Sequence, residues 1–385
     1  MIQKKKLGEI ANIAAGQGAP QGAENYSEEG TPFVKAGDLL DLVNGKRECD
    51  IQKVSEQVAK KHRLKPYPKG TVLFAKSGMS CMKGYVYVTN AECYVVSHLA
   101  CIMPFDVDSK YLKYYFEYHK PNQLVKDASY PSISLTDIAE MPINVFDDQT
   151  QAKIVDNLDA VNSLIAKSKE ELGLLDNIVK SRFVEMFGDP VSNPHGFERV
   201  ALSQLAEIKI GPFGSLLHKE DYIEGGHPLL NPSHISEGRI VPDDKLTVSD
   251  SKYAEMEVYH LHTGDIVMGR RGEMGRCAVV PDEGYLCGTG SLLIRTKGEV
   301  TADYLQKVIS FPTFKKTIED MAVGQTMPNL NVPIVSSFQI IKPPIDVQRR
   351  YYAFIAEVDK SKLAVKQSLE KLETLKKSLM QQYFG

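Results

Sequence analysis

The sequence predicts an α+β protein made of two similar mixed, β-rich domains, separated along the chain by two long α-helices that form an antiparallel coiled coil. Three observations predict this. The chain repeats itself at a shift of about 197 residues, each repeat opens with strand-like apolar runs, and each closes with a heptad ladder. The 385 residues are 43% hydrophobic and 25% charged, a composition that allows buried cores.

The repeat is clearest at the end of the chain, where the last 58 residues align without a gap with residues 131–188. At a shift of 197, Pro131 falls on Pro328, Gln151 on Gln348, and Phe187-Gly188 on Phe384-Gly385. Upstream, looser matches occur at shifts of 194 to 196, so the two copies differ in loop length. A fixed period of this kind indicates two copies of one structural unit.

The first part of each copy is predicted to be a domain, over residues 1–148 and 199–344. Apolar runs rich in β-branched residues predict strands in both. The predicted strands are Thr71–Ala75, Tyr85–Thr89, Cys93–Met103, Ile266–Met268, Cys277–Val280 and Ser291–Thr296. The predicted short helices are Lys110–His119 and Ala302–Phe311.

The remaining segments, 149–188 and 345–385, are predicted to be long helices, with 189–198 as a linker. Apolar residues recur in steps of four and three, and at ~1.5 Å per residue each helix would be roughly 55 Å long. A narrow apolar stripe needs a partner helix. The predicted helix-pairing residues are Ile154, Leu158, Val161, Ile165, Leu172 and Leu175, and Ile355, Val358, Val365, Leu369, Leu372 and Leu379.

Charge supports pairing between these two helices. Residues 147–188 carry five basic and eight acidic side chains, and residues 345–385 carry eight basic and five acidic ones. Opposite net charges favour pairing of the helices with each other over self-pairing. The alternative is a solvated charge imbalance without consequence.

Targeting signals and cysteines predict a cytoplasmic protein. We find neither a stretch of about eighteen apolar residues nor an N-terminal signal peptide, and no two of the six cysteines form a C-x-x-C pair. Cys93, His98 and Cys101 could be grouped as metal ligands, but their segment is typical of a strand with buried thiols. We therefore predict no metal site.

Catalytic motifs are missing from the sequence. The Asn231–His234 segment lacks the second proline and the aromatic residue of amino-methyltransferase motifs, and its repeat partner Lys35–Asp38 shares none of it. Neither a phosphate-binding G-x-x-x-x-G-K-[ST] loop nor a G-x-S-x-G turn occurs. The sequence therefore indicates binding rather than catalysis.

At this point the arrangement resembles a known family, the specificity (S) subunits of type I restriction–modification systems. The resemblance covers essentially the whole chain and lies in the duplicated order of domain and helix. The segments that carry it are Leu7–Ala11, Thr31–Leu39, Tyr130–Ser134, Met327–Asn331 and the proline-rich helix start Pro343–Gln348. The first copy departs from the pattern, since Val145–Asp148 lacks those prolines.

The resemblance implies a non-catalytic subunit in which each domain is a target recognition domain for one half of a split site in double-stranded DNA. The helices would set the gap, and two methyltransferase (modification) subunits would dock around them. Cofactors would then be absent from this chain, with S-adenosylmethionine, ATP and Mg needed only in partner subunits. Restriction subunits would add ATP-driven translocation and cleavage.

Candidate DNA contacts follow from chemistry, because a reader needs cations for phosphates and polar groups for base edges. One set occupies equivalent glycine-containing loops after an apolar strand: Lys76, Ser77 and Lys83, and Arg270, Arg271 and Arg276. A second set precedes the last strand of each domain: Ser129 and Tyr130, and Gln325, Thr326 and Asn329. Lys35 and Asn231 are weaker candidates. Each loop could instead be a solvated turn.

Two other functions remain open at this stage. One is a stand-alone adenine DNA methyltransferase, and the other is a coiled-coil scaffold that binds only proteins. For a DNA reader, the differences between the equivalent loops predict an asymmetric target with unlike halves. The net charge of −3 further predicts that tight DNA binding requires partner subunits.

Overall fold

The structure is a computed structural model that describes residues 3–213, 216–322 and 329–385. It divides into two units. Unit 1 consists of Met1–Glu170 and Lys366–Gly385, and unit 2 of Glu171–Val365. Each unit therefore contains one β-rich domain and a part of both long helices.

Unit 1 begins with nine strands and four short helices. The strands are β1 (Gln3–Lys6), β2 (Ala11–Ala15), β3 (Thr31–Val34), β4 (Lys53–Val54), β5 (Val72–Ala75), β6 (Val86–Val88), β7 (Tyr94–Val95), β8 (Leu99–Pro104) and β9 (Pro142–Val145). The helices are α1 (Leu39–Val43), α2 (Glu56–Lys61), α3 (Ser109–Tyr118) and α4 (Leu135–Ala139), and the long helix α5 (Asp148–Phe187) follows.

The rest of the chain contains the corresponding elements of the second copy. The strands are β10 (Glu198–Ala201), β11 (Ala206–Ile210), β12 (Tyr222–Ile223), β13 (His227–Leu230), β14 (Ile235–Ser236), β15 (Arg239–Ile240), β16 (Thr247–Val248), β17 (His260–Leu261), β18 (Ile266–Gly269), β19 (Cys277–Val279), β20 (Tyr285–Cys287), β21 (Ser291–Thr296) and β22 (Gln339–Lys342). The helices are α6 (Leu202–Leu205), α7 (Asp250–Glu255), α8 (Ala302–Ile309), α9 (Pro312–Met321), α10 (Val332–Ser336) and α11 (Ile345–Phe384).

The two copies share three features of sheet topology, although the second sheet has the order β4-β3-β7 in unit 1 and β12-β16-β13-β20-β17 in unit 2, which also has the pair β14-β15. The central antiparallel sheet has the order β2-β8-β5-β6 in unit 1 and β11-β21-β18-β19 in unit 2. A second sheet contains one parallel pair in each unit, β3 with β7 and β13 with β20. A third, two-stranded sheet joins the first and last strands of each copy, β1 with β9 and β10 with β22. Strands β5 and β18 are fully buried, which explains their continuous apolar sequence.

One predicted strand is wrong. Cys93–Met103 forms two strands, because Ser97 and His98 make a turn closed by the hydrogen bond from Leu99 N to Val96 O (3.0 Å). The piece before the turn pairs with β3 and the piece after it pairs with β2 and β5. An apolar run that passes from one sheet to another has the same sequence pattern as a single long strand.

The two long helices run antiparallel within each unit. In unit 1, the Asn157 amide donates to the Tyr383 hydroxyl (3.1 Å), and Lys169 forms an ion pair with Glu373 (3.7 Å). In unit 2, Lys362 pairs with Asp176 (2.7 Å), and the Tyr351 hydroxyl donates to the Val179 carbonyl (3.2 Å). All of the predicted helix-pairing positions are buried or half-buried. The predicted fold class is therefore confirmed.

The C-terminal end of each long helix packs against the domain core of the other copy. Phe384 of α11 packs in unit 1 against Tyr111 (5.2 Å between ring centroids), and the His119 ring bonds the Phe384 carbonyl oxygen (2.9 Å). Phe187 of α5 packs in unit 2 against Tyr304 (5.0 Å). The paired Phe-Gly ends of the repeat are thus equivalent core anchors.

The cysteines of unit 1's core are structural thiols. Cys93 and Cys101 have no exposed surface, and burial raises the pKa of each thiol to about 12. No group of three or more metal-ligating side chains occurs among the described residues. In that same part of the chain, no helix is long and apolar enough to cross a membrane.

Candidate nucleic-acid interface

The structure brings together the two loop sets that the sequence singles out in unit 1. Ser77 forms a β-bridge with Ser132, the Gly78 N–H donates to Pro131 O (3.0 Å), and the Ile133 N–H donates to Lys76 O (2.7 Å). The loop after β5 and the loop before α4 therefore form one junction, which we call the unit 1 loop junction (residues 76–83 and 129–133).

Unit 2 has an equivalent junction. The Leu330 N–H donates to Arg270 O (3.0 Å), and the Arg270 Nε donates to Leu330 O (3.1 Å). Of the predicted contacts here, Gln325 and Thr326 lie outside the described residues. Asn329 is half-buried, and its side-chain oxygen is buried without a hydrogen-bond partner in the described ranges. We call residues 270–276 with 329–330 the unit 2 loop junction.

A glycine in the left-handed conformation turns the chain at each junction. Gly78 has φ +73° and Gly272 has φ +82°. Residues with a Cβ rarely adopt this conformation, so glycine is required where the loop leaves the sheet. The two positions correspond in the repeat, so both loops turn at the same place. Beyond the glycine the loops differ, because unit 1 has a short 3₁₀ helix, Met79–Lys83, and the loop of unit 2 is shorter and has no helix in the described residues.

The unit 1 loop junction offers uncommitted cations. Lys76 is half-buried and Lys83 is exposed, and neither has an ion-pair partner within the described part of the chain. Ser77 is less free, because its hydroxyl bonds His98 Nδ1 (2.8 Å). Ser129 and Tyr130 are both exposed, the tyrosine by 84% of its surface.

Among the described residues, Arg271 is the free guanidinium of the unit 2 loop junction. Arg271 is exposed and has no partner among the described residues. Arg270 is half-buried, and burial, followed by the Arg271 charge, lowers its pKa. Arg276 is held by the Glu273 carboxylate (2.8 and 3.1 Å) and by Pro232 O (3.3 Å). Its predicted DNA contact would require breaking these bonds.

The weaker candidates are also engaged. The Lys35 ammonium donates to Gln52 Oε1 (2.6 Å) and lies 4.0 Å from the centre of the Tyr26 ring. Asn231 begins the loop whose Pro232 carbonyl contacts Arg276, so this loop borders the unit 2 loop junction.

Sequence reasoning missed three residues at the unit 1 loop junction. The His98 carbonyl oxygen accepts the Lys76 N–H (2.9 Å), and the His98 ring orients Ser77. In the sequence, the signal for His98 was the polar pair Ser97-His98 within an apolar run. Met79 and Met82 are exposed by 70% and 39%. Their signal was the presence of large apolar residues in a loop segment after the glycine, outside any strand pattern.

The family model for the type I restriction modification DNA specificity domain matches this chain twice, at residues 2–174 and 194–375. The chain belongs to this family. It is a specificity subunit with two copies of the domain, and members of the family are DNA-recognition subunits without catalytic activity. A stand-alone methyltransferase and a purely protein-binding scaffold, the two alternatives considered above, are therefore wrong.

Relatives agree with this assignment. The chain is similar to the type I restriction enzyme MjaIX specificity subunit of Methanocaldococcus jannaschii, at 22% identity over 91% of this chain and 85% of the relative. The fold is similar to the S subunit of M. genitalium, with TM-score 0.57 and 14% identity over 100% and 96% of the two chains. A second structure, from work on assembly and conformational transition of the type I R-M system, has TM-score 0.66 and 15% identity over 100% and 97%.

Proposed function

We propose that each unit of this specificity subunit contacts one half of a bipartite site in double-stranded DNA through its loop junction. The observation that carries the proposal is that loops at equivalent places in the two units carry unlike side chains. In the sequence repeat, Lys76, Ser77 and Tyr130 correspond to Arg270, Arg271 and Met327. Equivalent loops with different side chains are what two readers of different sequences require.

Arg271 is the best placed of these residues for direct readout. A guanidinium can donate two parallel hydrogen bonds to the O6 and N7 acceptors of guanine, and Arg271 is exposed and unpaired within the described ranges. Lys76 and Lys83 suit phosphates, because an ammonium is a point charge without a fixed fork. These roles predict that base preference and phosphate affinity can be separated by mutation.

Exposed apolar side chains on the long helices support docking of methyltransferase subunits. In unit 2, Leu174 and Ile178 of α5 are 54% and 47% exposed, and Leu363 of α11 is 58% exposed. Helical apolar surface outside the paired face is typical of a partner-binding site. The docked subunits would supply the S-adenosylmethionine chemistry, and restriction subunits would supply ATP- and Mg-dependent steps.

The test is to map methylated sites. The chain is co-expressed with its methyltransferase subunits, and modified adenines are located by modification-sensitive sequencing. We expect a split site with unlike halves. Arg271→Ala should relax one half by roughly 10- to 100-fold in discrimination, whereas Lys76→Ala should weaken binding to all sequences alike.

Arg349→Ala is the matched control, because Arg349 is an exposed arginine on α11, outside both loop junctions. It should leave the sequence preference unchanged. Identical half-sites, or relaxation of both halves by Arg271→Ala, would contradict the proposal.

A further inference from the structure

We propose that Met79 and Tyr130 form a wedge that inserts at a base step of the DNA half-site bound by unit 1. They would determine the preference at that step through stacking rather than hydrogen bonding. This inference rests on the DNA-binding function proposed above. It adds a mode of readout in which the two units differ.

The wedge residues are the most exposed large apolar side chains of the unit 1 loop junction. Tyr130 is 84% and Met79 is 70% exposed. They flank the same hydrogen bond, because Met79 follows Gly78 and Tyr130 precedes Pro131, and the Gly78 N–H donates to Pro131 O (3.0 Å). Two large, exposed apolar side chains therefore lie on either side of one backbone contact, beyond the end of the inner strand β5.

The backbone beneath the wedge is fixed. Met79 begins a short 3₁₀ helix, Met79–Lys83, whose Cys81 is buried and whose Met82 carbonyl accepts the Asn122 amide (3.1 Å). On the other side, the Ile133 N–H is bonded to Lys76 O (2.7 Å). A wedge on a preformed backbone loses little conformational entropy on insertion.

Charge favours DNA over a protein surface as the partner. Lys76 and Lys83 lie on the same loop as Met79, and neither has an ion pair in the described part of the chain. An apolar tip flanked by free ammonium groups matches a duplex, in which phosphates border the stacked bases. An apolar protein surface would leave both cations unmatched.

At the position equivalent to Met79, unit 2 has a charged residue. Met79 corresponds in the repeat to Glu273, which holds Arg276 (2.8 Å) and Lys315 (2.6 Å). A carboxylate cannot enter a base stack, and the group without a partner in the described ranges there is the Arg271 guanidinium. The two units would thus use different chemistry: apolar insertion in unit 1 and hydrogen bonding in unit 2.

Insertion between bases requires unstacking, which costs least at flexible pyrimidine–purine steps. We therefore expect such a step in the half-site of unit 1. That half-site is identified as the one that Arg271→Ala leaves unchanged.

The experiment uses the complex with methyltransferase subunits on a duplex that contains the mapped site. Stacking is followed by 2-aminopurine fluorescence at adenines and by permanganate reactivity at thymines. We expect one unstacked step in the half-site of unit 1. The methylated adenine and its neighbours are left out, because the methyltransferase can flip that base itself.

The double variant Met79→Ala/Tyr130→Ala should abolish this unstacking and weaken binding by about 10- to 100-fold. Tyr130→Phe keeps the aromatic ring, so it should show more unstacking than Tyr130→Ala. Lys83→Ala should weaken binding yet leave the unstacked step in place. Circular dichroism checks that each variant is folded.

The outcomes separate the wedge from the proposed function. Normal DNA binding without unstacking in that half-site overturns the wedge alone, as does unchanged binding by the double variant. Loss of methyltransferase association in the double variant, with the unstacked step retained, would show that the tip contacts protein and would also overturn it. If the wild-type complex binds no DNA, the proposed function fails, and the wedge with it.

Discussion

Glu273 limits the positive charge that unit 2 presents to DNA. Its carboxylate bonds Lys315 and Arg276, and the hydrogen bond from Lys315, followed by that from Arg276, lowers its pKa below the ordinary value of 4.5. A carboxyl group whose pKa is lowered in the folded state stabilises that state above the pKa of the unfolded chain. This stabilisation is lost only as the pH falls through the lower, folded value.

We predict that Glu273→Gln increases DNA affinity and its dependence on salt. The substitution releases two cations next to Arg271, and each new phosphate contact adds about 0.9 to the slope of log K against log salt. The slope is measured by fluorescence anisotropy between 50 and 200 mM salt, with the methyltransferase-bound complex.

Glu357→Gln is the control for this prediction. It removes one carboxylate from an exposed ion pair with Lys360 on α11 and should not change the slope. A slope that stays the same in Glu273→Gln would show that Arg276 and Lys315 do not reach phosphates. At neutral pH the wild-type carboxyl is ionised, so titration of Glu273 itself should not change the slope between pH 6 and 8.

At the scale of elements, a buried glutamine fixes the start of each long helix. Gln151 accepts the Asp108 N–H (2.8 Å) and donates to Phe146 O (2.7 Å). Gln348 accepts the Thr301 N–H (2.9 Å) and donates to Pro343 O (2.9 Å). In each unit this side chain ties the long helix to the N-cap of a short helix, α3 or α8. The start of α5 therefore has the same glutamine hydrogen bonds as the start of α11, although prolines are absent before α5.

We predict that Gln151→Leu destabilises unit 1 by about 1–3 kcal/mol, because two partly buried backbone groups, the Asp108 N–H and the Phe146 carbonyl, lose their hydrogen-bond partner. Urea unfolding measures the change in the free energy of unfolding, and hydrogen exchange at the Asp108 amide measures the local effect. Gln149→Leu changes an exposed glutamine of the same helix and should have little effect. Equal losses in the two variants would contradict a specific role for Gln151.

The sequence predicted the helices better than the sheets, for a physical reason. A heptad ladder specifies a buried face over many turns, so spacing predicted pairing residues from Ile154 to Leu175 and from Ile355 to Leu379, and each of those predicted positions is buried or half-buried. Strand patterns are short and specify no partner. The run Cys93–Met103 was therefore predicted as one strand, although it passes between two sheets.

At the scale of the whole molecule, the repeat predicted two copies of one structural unit. It did not predict that each unit contains a part of both long helices. Phe187 and Phe384, at the ends of the long helices, are apolar and buried. Their spacing in the sequence does not predict which domain core they pack against. The same holds for the loop junctions. Ser77 and Ser132 are far apart in sequence and meet through a single bridge, which no local pattern encodes.

Charge across the chain makes a last prediction about affinity. The segments 1–146 and 199–344 have net charges of only +2 and −3, and Arg276 and Lys315 are already paired with Glu273. Counterion release scales with the number of phosphates neutralised, so the subunit alone has few charges with which to gain affinity.

We expect the subunit to bind its site weakly at 0.15 M salt and tightly once methyltransferase subunits are added. Anisotropy titrations with and without those subunits, with a scrambled duplex as control, measure the difference. Nanomolar binding by the isolated subunit would mean that its loop junctions suffice for the affinity.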